Sequence, residues 1–229
     1  MARRYKIAYF PKARALNSDA PYNALLDAMS KTDDLVEGSM DADISVIWSC
    51  LWAGRMAPNK VVYDYYRSLK KPVVIMEVGA LKRGVTWKLC MNSLTTDGIW
   101  PIEHGTFHDL SVWEKTDRAE QLGLKMKPWN KKTNGKAFIC LQNTKSLLWQ
   151  GNPPPNAWIQ SFMPALEEEG LEVIIRPHPR DPFELSPLLD GRVTVQAPKM
   201  TGGDETDFDN ALENASLVIT HLSNTGVQA

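Results

Sequence analysis

The sequence predicts an α/β protein of two Rossmann-like domains, and three observations lead there. Short apolar runs alternate with segments of helical spacing along most of the 229 residues, the signature of βαβ units and a parallel sheet. The alternation lapses between residues 95 and 136 and then restarts, which divides the chain in two. Two late runs, at 173–175 and 218–220, break into the polar clusters Arg-Pro-His-Pro-Arg and His-Leu-Ser-Asn-Thr-Gly. Buried parallel strands that carry chemistry at their carboxyl ends have this form.

Residues 6–10 read as a short strand, and 21–30 as a helix with Tyr22, Leu25, Leu26 and Met29 on one face. Residues 44–48 form a second strand, 59–69 a second helix, and 72–78 a third strand ending in Glu77-Val78-Gly79. A turn at Lys82-Arg83-Gly84 leads into a fourth run, 86–91. Beyond it, residues 104–108 (His-Gly-Thr-Phe-His) read as a loop, 119–124 as a short helix, and 125–136 as a basic linker containing Pro and Gly. The boundary falls near residue 130, giving an N-terminal acceptor-side domain, 1–130, and a C-terminal domain, 131–229.

In the second domain, 137–141 is a strand, and 142–156 a long loop rich in Asn, Gly and Pro. Residues 158–169 form an amphipathic helix closed by Gly170. A strand at 171–176, a short helix including 187–189 and a strand at 193–196 follow. Residues 204–215 have the acidic first turn of a helix; 217–220 is a strand, and a helix starts near Ser223. This is half of a doubly wound sheet. Such a domain normally continues with further strand–helix pairs, so the sequence reads as truncated at its C-terminal end, a fragment or a shortened variant.

Hydrophobic residues at 43% and charged residues at 23% are ordinary for a soluble globular protein. A net charge of −1 excludes the polybasic coat that tight, sequence-independent nucleic-acid binding needs. No run has the length of a membrane span, and the apolar stretch after the basic N-terminus stops at Pro11, too short for a signal-peptide core. A cytoplasmic protein is expected. Cys50, Cys90 and Cys140 are widely spaced without a CxxC, the pattern of reduced, buried thiols. The eight tryptophans are scattered, which suits core filling, with one or two left to stack on a sugar or base.

In the cluster at 176–180, prolines hold the backbone on both sides of His178, which positions its side chain. His178 then suits a hydrogen bond to a phosphate oxygen, or proton donation to a leaving diphosphate, with Arg176 and Arg180 supplying charge. The bland alternative is a strand-end turn with a surface histidine. Ser223, Asn224 and Thr225 open a helix, where N–H groups and hydroxyls receive an anion or merely cap it. His221 is a further phosphate ligand or a satisfied core residue. The loop after 141 is long for a β–α connection; Gln142, Asn143, Thr144 and Lys145 either face the ligand or form a surface excursion.

In the first domain, residues 49–56 follow a buried strand without a GxGxxG fingerprint, and Ser49, Trp52 and Arg55 are acceptor-side candidates. Glu77, at a strand end, is the candidate base for an acceptor hydroxyl, or the partner of Lys82 or Arg83. His104 and His108 are spaced i, i+4, but Gly105 argues against a helical metal pair; no metal is expected. The basic linker reads as a solvated hinge or as a track for an anionic acceptor such as nucleic acid.

Arg176-Pro177-His178-Pro179 at one strand end and Thr220-His221-Leu222-Ser223-Asn224-Thr225-Gly226 at another resemble the nucleotide-binding domain of GT-B type glycosyltransferases. The likeness is to the capsule-polysaccharide and glycerophosphotransferase-like members, over about residues 136–229. It implies two Rossmann-like domains facing a cleft, with a nucleotide-activated sugar or polyol bound mainly to the C-terminal one. It also implies that His178 contacts the donor phosphates, supported by Arg176 or Arg180, with Ser223, Asn224 and Thr225 lining the same site. The departure is at the C-terminal end, where these proteins complete the sheet and hold an acidic residue for the donor ribose or sugar.

The function expected is metal-independent transfer of a sugar or similar group from a nucleotide-activated donor to a hydroxyl acceptor. The acceptor would be a glycan, a polyol or a modified nucleic-acid base, and no cofactor is called for. A nucleotide-sugar epimerase of the same architecture and a non-catalytic nucleotide- or glycan-binding remnant stay open. If both sheets present their carboxyl ends to one groove, Glu77 and His178 line it together.

Overall fold

Among the described residues, the N-terminal half forms a five-stranded sheet. The computed structural model describes residues 4–15, 18–82, 84–95, 98–99, 118–125, 135–181, 183–202, 205–207, 211–212 and 215–229. These fall into two compact units, Met1–Lys127 and Pro128–Ala229. The His104 and His108 loop, Arg83, Trp100, Trp113, Trp129 and most of the basic linker lie outside the described residues.

In unit 1, β3 (Ile44–Trp48) and β4 (Val73–Val78) are apolar and buried almost throughout, and such strands take the middle of a sheet. β1 (Lys6–Tyr9) lies beside β3, and β2 (Asp34–Glu37) forms the edge; all four are parallel. The edge strand β2 escapes a search for apolar runs because its four residues begin and end on carboxylates. β5 (Trp87–Met91) runs antiparallel to β4, since the short link from Val78 to Trp87 cannot make the crossover that a parallel neighbour requires. A Cβ at Gly79 would stand 2.6 Å from the Thr86 carbonyl oxygen, so only glycine fits that hairpin neck. Helix α1 (Asp19–Ser30) joins β1 to β2, and α2 (Asn59–Ser68) joins β3 to β4. Tyr22 and Leu26 of α1 pack on Ile7, Val46, Trp48 and Val74. A short helix, α3 (Arg118–Gln121), follows β5.

Among its described residues, unit 2 has a four-stranded parallel sheet. Its strands are β6 (Lys136–Cys140), β7 (Glu172–Arg176), β8 (Val193–Val195) and β11 (Leu217–Thr220). The core gathers Ala137, Ile139, Ile175, Ile159, Met163 and Leu166. Two expectations are corrected. The single helix at 158–169 is instead α4 (Pro155–Gln160) and α5 (Met163–Glu168). Pro164 lacks an N–H for the Gln160 carbonyl and its ring clashes with that group, which breaks the helix. The helix expected at 204–215 gives way at its start to a hairpin of β9 (Met200–Gly202) and β10 (Glu205–Thr206), and Ala211 and Leu212 are helical. Gly202-Gly203 is a turn signal in the sequence that outweighs the acidic helix start. A final helix, α6 (Thr225–Gln228), follows β11.

Cys50, Cys90 and Cys140 are buried thiols. Among the described residues, no helix is long and apolar enough to cross a membrane.

Candidate functional site

In unit 2 the chain steps from β6 to β7 to β8 on one side, and β11 returns on the other side of β6. Open α/β sheets bind ligands where connections diverge in this way, at the carboxyl ends of the strands. The loops leaving β6, β7 and β11 are tied together there. Thr144 donates both its N–H and its hydroxyl to Asp181 Oδ2, at 2.7 and 2.8 Å. Gln142 Oε1 accepts the Leu222 N–H at 3.3 Å. Asn143 is buried, and its Oδ1 accepts the Lys145 N–H at 3.0 Å. The 142–145 segment is therefore a pinned part of this edge, with Lys145 exposed.

Residues 178–181 form a β-turn in which Pro179 takes the second position, where its fixed φ is favoured. The Asp181 N–H closes the turn on the His178 carbonyl at 3.1 Å, and the Arg180 N–H donates to His178 Nδ1 at 3.1 Å. An accepting Nδ1 leaves the proton of the neutral ring on Nε2. The His-Pro pair thus fixes both the turn and the tautomer of its histidine.

Arg176 behaves differently. It is 3% exposed, and its guanidinium donates to Gln196 Oε1 at 2.9 Å and to Asp207 Oδ1 at 2.6 Å. That hydrogen bond holds the Asp207 carboxyl below the usual range. Its charge is engaged within the protein, anchoring the segment after the β9–β10 hairpin. The His221 Nε2 lies 3.1 Å from the Leu148 carbonyl and 3.1 Å from Asn152 Nδ2, with its ring edge-on to Trp149 and Trp158. His221 thus seats the β6–α4 loop on β11. Ser223 Oγ accepts the Thr225 hydroxyl at 2.9 Å, and Asn224 begins α6 without a side-chain cap bond. A Cβ at Gly226 would stand 2.6 Å from Thr220 Oγ1, so glycine lets α6 close onto β11. Burial pushes the Cys140 thiol beneath it up to about 11, against the lowering effects of Arg176 and Thr225.

Unit 1 diverges between β1 and β3, and there the gap is filled from within. Tyr22 accepts the Phe10 N–H at 3.2 Å and donates its hydroxyl to the Val46 carbonyl at 3.1 Å. Asn59 Nδ2 donates to the Ala13 and Trp48 carbonyls at 2.7 and 2.6 Å, while its Oδ1 has no hydrogen-bond partner among the described residues. Both side chains are fully buried, and burial pushes the Tyr22 phenol up to about 12.

The polar groups of this unit lie further along the sheet. Ser49 Oγ donates to Glu77 Oε2 at 2.5 Å, and Glu77 Oε1 accepts the Val78 N–H at 2.9 Å. Glu77 hydrogen-bonds to Ser49 and Val78 rather than to Lys82. Ser49 holds φ 65°, a left-handed conformation that is uncommon without glycine and found at functional sites. Lys88 is the cross-strand neighbour of Glu77; burial draws its ammonium down, while Glu77 opposes the shift. Trp52 packs on Tyr63 with ring centroids 5.5 Å apart, and Arg55 is exposed on the 3-10 turn Gly54–Met56.

Sequence reasoning missed Asp181, Asp207, Gln196 and Lys88. Asp181 had a signal, as the last residue of a Pro-containing turn. Lys88 had another, as a charge inside a strand otherwise apolar around it.

The fold and these edges define an α/β protein with Rossmann-like parallel sheets whose polar side chains gather at strand carboxyl ends. No family model matches the chain, and no curated protein matches it. Among solved structures, a D-2-hydroxyisocaproate dehydrogenase is similar over 95% of this chain and 62% of its own, at 8% identity and a TM-score of 0.23. Likeness at that level supports no statement about activity. Among the described residues, no group of three or more His, Cys, Asp or Glu could hold a metal ion.

Proposed function

We propose that this chain is a GT-B type transferase. Unit 2 would hold a nucleotide-activated sugar or polyol by its phosphate, and the activated group would pass to a hydroxyl acceptor. The observation that carries the reading is the turn at 178–181, which presents His178 with its neutral-form proton on Nε2 beside Arg180, at the edge where the Thr144 and Ser223 loops meet. Such preorganised donors stabilise charge as it develops on a departing phosphate. Glu77 takes the acceptor proton as the acceptor oxygen forms its new bond. The bond from the transferred group to the phosphate oxygen breaks, and that oxygen leaves with the electron pair, stabilised by His178 and Arg180. Arg176 acts from beneath by bracing the strand ends, and Ser49 orients Glu77.

Calorimetry and thermal shift with nucleoside mono- and diphosphates and their sugar conjugates test the donor site; no binding to any of them sinks the reading. Once a substrate is found, His178→Ala should lower turnover by about two orders of magnitude with the fold intact. Unchanged turnover removes His178 from the mechanism. Epimerised sugar formed without any acceptor would replace transfer with epimerisation.

A further inference from the structure

We infer that Asp181 is the positioning residue of the phosphate site, holding the His178 turn in register with the loop that follows β6. The inference rests on the donor-site reading above. One oxygen, Asp181 Oδ2, accepts both donors of Thr144, a residue 37 positions earlier, at 2.7 and 2.8 Å. The Asp181 N–H meanwhile closes the turn on the His178 carbonyl at 3.1 Å. Asp181 therefore belongs to two loops at once, bound through its backbone to the histidine and through its side chain to the facing loop.

Hydrogen bonds to a carboxylate are shorter and roughly twice as strong as neutral ones, which suits an orienting contact at a partly exposed edge. The facing loop has its own internal bonds, from Lys145 N–H to Asn143 Oδ1 and from Leu148 N–H to Ser146 Oγ. The Thr144–Asp181 contact adds little to the shape of that loop. It sets where the His178 turn stands relative to it, and so where Nε2–H points. The histidine ring accepts the Arg180 N–H at Nδ1, at 3.1 Å, and keeps that bond only while the turn keeps its geometry.

A double-mutant cycle tests this, with inorganic pyrophosphate as the probe and calorimetry as the readout. Asp181→Ala should weaken pyrophosphate binding about tenfold in the wild-type background and less than about twofold in a His178→Ala background, because coupled residues are non-additive. Equal losses in both backgrounds overturn the inference. Thr144→Val keeps the N–H and the side-chain shape, guards against a folding defect in Asp181→Ala, and should lose about threefold, again only with His178 present. If wild-type protein binds no pyrophosphate, the donor-site reading fails, and the ligand-free ring decides this one. Nitrogen NMR should find His178 Nδ1 unprotonated in the neutral wild-type ring and mixed tautomers in Asp181→Ala. An unchanged tautomer overturns the positioning role.

Discussion

The two units diverge at equivalent places, β1 against β3 in unit 1 and β6 against β11 in unit 2, and they treat those places differently. In unit 2 the pairing continues to the last residue of both strands, Thr220 beside Cys140, and the loops beyond are joined by the Gln142–Leu222 contact. In unit 1 the β1–β3 pairing stops at Tyr9 beside Val46, although β3 continues to Trp48. Tyr22 and Asn59, from the helices on either side, take over the backbone groups that the separation exposes. A divergence point in a parallel sheet invites a ligand, but it serves only if the flanking helices do not fill it. Unit 1 uses its own as core and gathers its polar chemistry at Ser49, Glu77 and Lys88 instead.

The largest stability effect should come from unit 2. Asp207→Ala leaves Arg176, 3% exposed, with Gln196 as its remaining side-chain partner. Breaking a buried pair from one side costs about 3 kcal/mol, at the low end of the usual range because the Asp207 side chain is 20% exposed. Hydrogen exchange should quicken in β7 and β8, and unchanged protection there would show that the pair braces nothing.

Next comes the plug of unit 1. Asn59→Ala removes two buried donors and should cost about 2 kcal/mol, read as a lower denaturant midpoint. A loss near zero would mean that water replaces the amide and that the gap is open to solvent.

Tyr22→Phe should cost about 1 kcal/mol by stranding the Phe10 N–H and the Val46 carbonyl. It also carries a pH signature. Burial raises the Tyr22 phenol from an ordinary 10.0 to about 12, so the folded state holds its proton more tightly than the unfolded chain. Its contribution is fully present below pH 10.0 and is lost as pH rises through about 12. Ultraviolet titration should show this tyrosinate forming with unfolding, and the Phe variant should lack that part of the alkaline loss. The smallest effect belongs to Gln142→Ala, which breaks an exposed 3.3 Å contact and should change stability by less than about 0.5 kcal/mol. A larger loss would make the loop contact in unit 2 as structural as the plug in unit 1.

Much of the fold was legible. The runs at 44–48 and 217–220 are strands with those bounds, because short apolar runs rich in β-branched residues favour extended backbone. β2 was not, since an edge strand needs little apolar character. The turn after β7 was legible too. His-Pro in 178–179 announces a turn that fixes its histidine, and the turn does hold the His178 ring. The role of Arg176 was not readable, because its partner Asp207 lies 31 positions away, beyond the β9–β10 hairpin.

The sequence by itself determined most of the apolar strands and which residues stand at their ends, since those follow from local sterics and apolar periodicity. Tertiary structure alone decided strand order, and with it whether Arg176 meets a carboxylate, whether Thr144 meets Asp181, and whether a tyrosine fills a divergence point. Those contacts join residues that only sheet pairing brings together, and no local pattern encodes the neighbour across the sheet.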